Sequence, residues 1–225
     1  MRILSISCIH GDMENLMMFI DKAVVLEPDI VVCTGDFTDY FLPKGFGRID
    51  IGETIVEELK AFKKPLIVVP GSWDKDLIEF FDKKNISVHG KGKVVDDVGF
   101  YGYGGAQTPF NTPFEPSEEE IENGLEKAYH DVIEAEIKIQ VTHAPPKGTA
   151  VDIITTGAHV GSNTVRKFID KVQPNAAFCS HIHEGRGVDE IGNTKIINSG
   201  RFPEGYCGLA EIDKGSVSAK IVSLI

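Results

Sequence analysis

Histidine, aspartate and cysteine recur in this chain just beyond short apolar runs. The clearest case is Ser180-His181-Ile182-His183, which follows Ala176-Ala177-Phe178-Cys179. Alternate residues of an extended segment share a face, so both imidazoles can reach one centre or two adjacent ones. A pair of surface-loop histidines would read the same way, so the question is whether the chain supplies partners. Cys8-Ile9-His10-Gly11 follows the apolar residues 3–7, and Gly35-Asp36-Phe37-Thr38-Asp39 follows residues 30–33. Gly71-Ser72-Trp73-Asp74 follows residues 66–69, and Thr142-His143 ends the run 137–141. Imidazole, carboxylate and thiolate are the donors of divalent-cation sites. If each run is a strand, donors stand at the carboxyl edge of the sheet, where open α/β folds bind ligands. Repetition at strand after strand points to a single site.

The elements that must position these residues can be read from periodicity and caps. Asp12 can cap a helix with the stripe Leu16, Ile20, Ala23 and Val24, stopped by Pro28. Residues 37–50 read as a Gly-rich and Pro-containing loop, and Ile55, Val56, Leu59 and Phe62 mark a second helix. A third runs through Leu77, Ile78, Phe80 and Phe81. Continuous apolar strands alternating with helices are the pattern of a parallel sheet covered on both faces. Farther on, Val94-Val95 and Phe100-Tyr101 read as short strands, and residues 102–116 as a long loop. Ser117 and Glu120 form a capping box ahead of Ile121, Leu125, Ala128 and Val132. Ser162 can cap a helix through Val165, Phe168, Ile169 and Val172. The end of the chain reads as antiparallel, with hairpins at Gly192-Asn193 and Lys214-Gly215.

Composition narrows the function. The chain has 225 residues, 42% hydrophobic and 25% charged, which suits one domain over residues 1–225 with a sizeable core. No apolar run approaches the roughly 20 residues that span a bilayer. Without a recognisable signal peptide, the expected location is cytoplasmic. The four cysteines are too scattered for a disulfide framework. A formal net charge of −11 has the wrong sign for bulk nucleic-acid binding. An acidic protein that handles phosphate needs metal ions to do so.

In order and spacing these motifs resemble the calcineurin-like metallophosphoesterases, whose pattern is D-x-H, G-D-x-x-D, G-N-H-D/E, an isolated His, and G-H-x-H. The matching stretches are Ile9-His10-Gly11, Gly35-Asp36 with Asp39, Gly71 with Asp74, Thr142-His143-Ala144-Pro145-Pro146, and His181-Ile182-His183-Glu184-Gly185. The stretches His159-Val160-Gly161-Ser162 and Asn198-Ser199-Gly200 look familial too, so the likeness spans nearly the whole chain. It implies a four-layer α/β/β/α sandwich with mixed sheets and outer helices, built around two divalent metal ions. Asp36 would bridge the ions. His10, His183 and the first motif's Asp position, here Cys8, would hold one; His143, His181 and the third motif's Asn position, here Ser72, would hold the other. A metal-activated hydroxide would then attack a small phosphomonoester or phosphodiester, with Asp36 and His143 central to catalysis.

Three positions depart from the pattern. Cys8 replaces Asp; a thiolate suits zinc or iron better than magnesium or manganese, and a buried non-ligand thiol is the other reading. Ser72 replaces Asn with a shorter, poorer oxygen donor. Trp73 replaces the His that assists the leaving group, and indole cannot transfer a proton at neutral pH. Losing a general acid typically costs about 10²–10⁴-fold. Asp74, which in the family orients that His, is left without its task. The expected metals are manganese, zinc or iron, with one or both sites filled.

Other residues have weaker claims. Arg186 and Arg201 flank the last motifs and could meet a substrate phosphate or simply form salt bridges. His159 could approach substrate or be structural. His89 and His130 read as surface residues. Two functions are compatible with all of this: a metal-dependent phosphoesterase, or a catalytically silent relative serving as a binding or scaffold subunit, as the retromer subunit of this fold does. Neither reading fixes the oligomeric state.

Overall fold

The computed structural model describes residues 1–225. It holds two β-sheets. The first takes β1 (Arg2–Ile6), β2 (Ile30–Cys33), β3 (Leu66–Val68), β10 (Tyr206–Asp213) and β11 (Ser216–Ser223) in the order β11-β10-β1-β2-β3. The second takes β4 (Lys91–Val95), β5 (Val98–Tyr103), β6 (Ile137–Thr142), β7 (Ala176–Cys179), β8 (Gly187–Ile191) and β9 (Thr194–Asn198) in the order β4-β5-β6-β7-β9-β8. Each sheet is mixed. β1, β2 and β3 run parallel, and β10 joins β1 antiparallel, Leu4 opposite Leu209. β5, β6, β7 and β9 run parallel, with β4 and β8 antiparallel at the edges.

Alternation along the strands explains the layering. In β1 and β2, Ile3, Ile30 and Val32 face the second sheet and meet Phe100, Ile139, Val141 and Phe178. Their neighbours Leu4, Ile6, Val31 and Cys33 face outward and are covered by α1 (Met13–Val24) and α2 (Arg48–Leu59) through Leu16, Ile20, Ile55 and Leu59. The outer face of the second sheet, with Tyr101, Ala177 and Cys179, is covered by α4 (Glu118–His130) and α5 (Asn163–Val172) through Leu125, Ala128, Phe168 and Ile169. The expected four-layer α/β/β/α sandwich is what forms. A reading of the first half alone, as a parallel sheet covered on both faces, needs correction on one point: helices cover a single face, and the second sheet covers the other.

Helix starts follow their local signals. Asp12, Ser117 and Ser162 cap α1, α4 and α5, each accepting a backbone N–H three residues on. α2 begins inside the segment 37–50 expected to be loop, because Asp50 reaches back to the Gly47 N–H at 2.7 Å and closes the first turn. Phe62 falls in a short 3₁₀ turn rather than in α2. Lys75–Leu77 is likewise a 3₁₀ turn, and α3 (Ile78–Lys83) continues from it. His89, expected at the surface, is mostly enclosed. Its Nδ1 accepts the Gly104 N–H at 3.0 Å, and its ring lies 4.2 Å from that of Tyr103. Burial pushes its pKa down to about 4, which suits an acceptor. No helix is long and apolar enough to cross a membrane.

Candidate metal centre

The carboxyl ends of β1, β2 and β3 meet those of β6 and β7 along one edge, and the residues singled out by type converge there. Their ligand atoms form two groups. Cys8, His10 and His183 make one, with ligand atoms all within 4.8 Å of each other; Asp36, His143 and His181 make the other, to the same limit. Each group takes residues from both sheets: Cys8, His10 and Asp36 follow strands of the first, and His143, His181 and His183 follow strands of the second.

Asp36 stands between the groups. Its Oδ2 is 3.3 Å from His143 Nε2 and 3.8 Å from His10 Nε2. Burial alone would raise this carboxyl; the imidazoles of His143, His10 and His181 outweigh it and hold the group below the usual carboxylate range. Burial, aided by nearby His143, pushes His181 down to about 3, so its ring is a neutral donor at physiological pH. His183 is also lowered, chiefly by burial and then by His10.

The backbone around the centre is unusual. Cys8, His10, Asp36 and His181 all lie in the left-handed region, at φ 50, 54, 55 and 70°. Such conformations cost a non-glycine residue of order 1 kcal/mol or more and gather at functional sites. The loops after β1 and β2 hold each other in place: Cys8 N–H donates to Gly35 O, and His10 N–H donates to Asp36 O, both at 2.9 Å. Gly71 must be glycine, because a Cβ there would sit 2.1 Å from both the backbone nitrogen and Oδ1 of Asp36.

Partners outside the two groups orient the donors. The Thr34 carbonyl faces His143 Nδ1 at 2.7 Å and can only accept, so Nδ1 carries the hydrogen and Nε2 presents its lone pair. Ser180 Oγ donates to the same carbonyl at 2.9 Å. Burial would lower the His143 pKa, but Asp36 raises it; Nε2 and Asp36 Oδ2, 3.3 Å apart with no hydrogen bond to Nε2, leave a place for a proton or for the cation that displaces it. Both nitrogens of His10 are buried without a hydrogen bond as well, Nε2 standing 3.8 Å from Asp36 and Nδ1 3.7 Å from Asp39. Buried polar atoms normally find partners; a His10 nitrogen and His143 Nε2 left without a hydrogen bond beside the Asp36 carboxylate fit a cation between them. On this test the residues present suit divalent metal ions.

Asp74 does have work to do. It is fully buried, and its carboxylate accepts N–H groups from Gly71 at 2.8 Å and from Phe37 and Thr38 at 3.0 Å each. It thereby ties the loop of β3 to the loop that carries Asp36. Trp73 contributes its backbone N–H to Asp36 Oδ1 at 3.1 Å, while its indole turns outward against Tyr40, ring centres 5.9 Å apart. Neither contact shows in the residue types alone, since the groups joined to these two residues are backbone atoms or lie in a distant loop.

The remaining candidates fall at varying distance from the chemistry. Ser72 is buried at the end of β3 with its hydroxyl toward Ala106 O at 3.4 Å. Arg201 lies beside His183, whose pKa it helps to lower, and its Nη2 is 4.0 Å from Asp12. Arg186 is engaged elsewhere, pairing with Glu204 at 3.0 Å and lying 3.7 Å over the Tyr206 ring. His159 is held by buried Asp152 at 2.7 Å. His130 is exposed, as its type suggested.

Comparison with known proteins agrees with this architecture. The family model for calcineurin-like phosphoesterases matches residues 1–185. An uncharacterized protein of Methanocaldococcus jannaschii is 35% identical over 207 residues, spanning 88% of this chain and 87% of its own. The crystal structure of the Thermus thermophilus protein TT1561 superposes with a TM-score of 0.74 at 19% identity, over 100% of this chain and 99% of that one. A dimetal phosphatase from Danio rerio superposes with a TM-score of 0.66 at 10% identity, over 100% and 96%. At such identities the two structures establish a shared fold.

Proposed function

This chain belongs to the calcineurin-like phosphoesterase family, and from that premise we propose that it hydrolyses a small phosphomonoester or phosphodiester with the help of two divalent cations. The observation that carries the reading is the pair of donor groups joined by Asp36, in which both ring nitrogens of His10 and Nε2 of His143 are buried without a hydrogen-bond partner. Cations held there would polarise the phosphoryl group and lower the pKa of water at the site. Manganese, zinc and iron all suit these donors, and residues 1–225 form the one domain that supplies them.

The protein's own part is to orient and to exclude. Asp36 brings the single full negative charge shared by both groups. His143 is fixed in one tautomer by Thr34 and Ser180, and His181 stays neutral through burial. The positive charge of Arg201 is felt at His183, and its proposed part is to meet an anionic oxygen of the substrate. No side chain at position 73 protonates a leaving group, so the substrates served best are those whose leaving group departs without help.

The test is hydrolysis of activated aryl phosphate mono- and diesters by purified protein supplied in turn with manganese, zinc and iron. Turnover that His143→Ala and Asp36→Ala abolish supports the proposal. Absence of turnover with every metal would favour a silent binding subunit, the reading that Trp73 in place of a proton donor also favours.

A further inference from the structure

Of the four cysteines, Cys33, Cys179 and Cys207 lie within strands, and Cys8 alone is grouped with histidines. It stands where the family pattern has Asp, and it is fully buried. We infer that Cys8 is a thiolate ligand, so that the pocket of Cys8, His10 and His183 selects a thiophilic ion, zinc or ferrous iron, over manganese or magnesium. This deepens the phosphoesterase reading and rests on it.

Geometry favours a bond over inert packing. The sulfur and one nitrogen from each ring already lie within 4.8 Å of one another. Donor atoms around a tetrahedral ion with bonds of about 2.0–2.3 Å stand roughly 3.5 Å apart, so a small contraction closes the set. His10 is an independent sign. Its side chain is only 10% exposed, yet neither ring nitrogen has a hydrogen-bond partner. The rings of His10 and His183 meet edge to face, centroids 5.5 Å apart, rather than stacked.

The two pockets differ in hardness as a result. One offers sulfur and two imidazoles beside the shared Asp36 carboxylate; the other offers that carboxylate and two imidazoles without sulfur. Soft thiolate favours zinc and ferrous iron, whereas carboxylate accepts manganese and magnesium more readily. The thiol gives up its proton to solvent as the ion binds. A protein purified from a mixed supply should therefore carry zinc or iron beside Cys8, whatever occupies the Asp36 pocket.

Cobalt(II) added to the metal-free full-length protein reads this directly. Bound cobalt gives visible ligand-field bands, and a cobalt–thiolate bond adds a near-ultraviolet charge-transfer band. The expected result is that band in the wild type and its loss in Cys8→Ser, with the visible bands retained. Cys8→Asp should also lose it and should narrow the preference for zinc over manganese by about tenfold or more, counted as metal per chain in competition. Visible bands without the charge-transfer band, or a band that survives in both variants, would overturn the inference and leave the phosphoesterase reading standing. Failure of the wild type to bind cobalt at all would overturn both.

Discussion

Asp36 and His143 are held by hydrogen bonds from outside their pocket, whereas His10, in the other pocket, faces the carboxylates of Asp36 and Asp39 at 3.8 and 3.7 Å without a hydrogen bond. Trp73 N–H fixes Asp36, Thr34 fixes the tautomer of His143, and Asp74 clamps the loop beneath. His10 has no hydrogen bond on either ring nitrogen. Groups that orient ligands are worth about 10–100-fold in metal affinity. The supported pocket is thus arranged before a cation arrives, and the other acquires its final geometry with the cation. On the proposed reading, a hard ion such as manganese should fill the supported pocket first.

The strongest way to break this comparison is to remove the group both pockets share. Asp36→Asn should lower kcat by about three orders of magnitude, roughly 4 kcal/mol of barrier, and should reduce metal content at both pockets. Loss of metal from only one would show that the carboxylate is not shared. Next comes the clamp. Asp74→Ala strands three buried N–H donors, and the destabilisation should reach about 3 kcal/mol in urea titration. Manganese affinity should fall along with it by roughly tenfold or more. An unchanged affinity would mean that loop support does not govern occupancy.

Trp73→His acts on neither pocket's support, because only the backbone of residue 73 holds Asp36. It should raise kcat on alkyl phosphate esters by roughly tenfold, at the modest end of general-acid effects, and hardly alter turnover of aryl esters. Equal changes on both would place the missing proton donor elsewhere. The smallest effect is expected for Ser180→Ala, which removes one hydroxyl beside His143. A loss of about 1 kcal/mol, near fivefold in manganese affinity, is the scale of one hydrogen bond. Calorimetric titration of manganese resolves a change of that size.

Much of this was legible in the sequence, for local reasons. Caps at Asp12, Ser117 and Ser162 act within one turn, so their residue types announce them. Candidate ligands were legible because they stand directly after apolar runs. What the pattern could not announce depends on distant contacts. The antiparallel pairing of β1 with β10 joins opposite ends of the chain. Asp74 binds backbone N–H groups of Phe37 and Thr38, and any residue but proline has such a group. His89 looks like a surface residue until the Gly104 N–H and the Tyr103 ring enclose it. The family pattern even suggested that Asp74 was idle, since the His it would orient is absent.

Because each pocket draws donors from both sheets, any ion that binds is also a rivet across the seam between them. By mass action, an ion at a hundred times its dissociation constant adds about 2.7 kcal/mol to folding stability. Melting temperature should climb with free metal and drop under chelation, quite apart from whether any ester is cleaved. Stripped of metal, the two halves of the sandwich would be loosened along that rim.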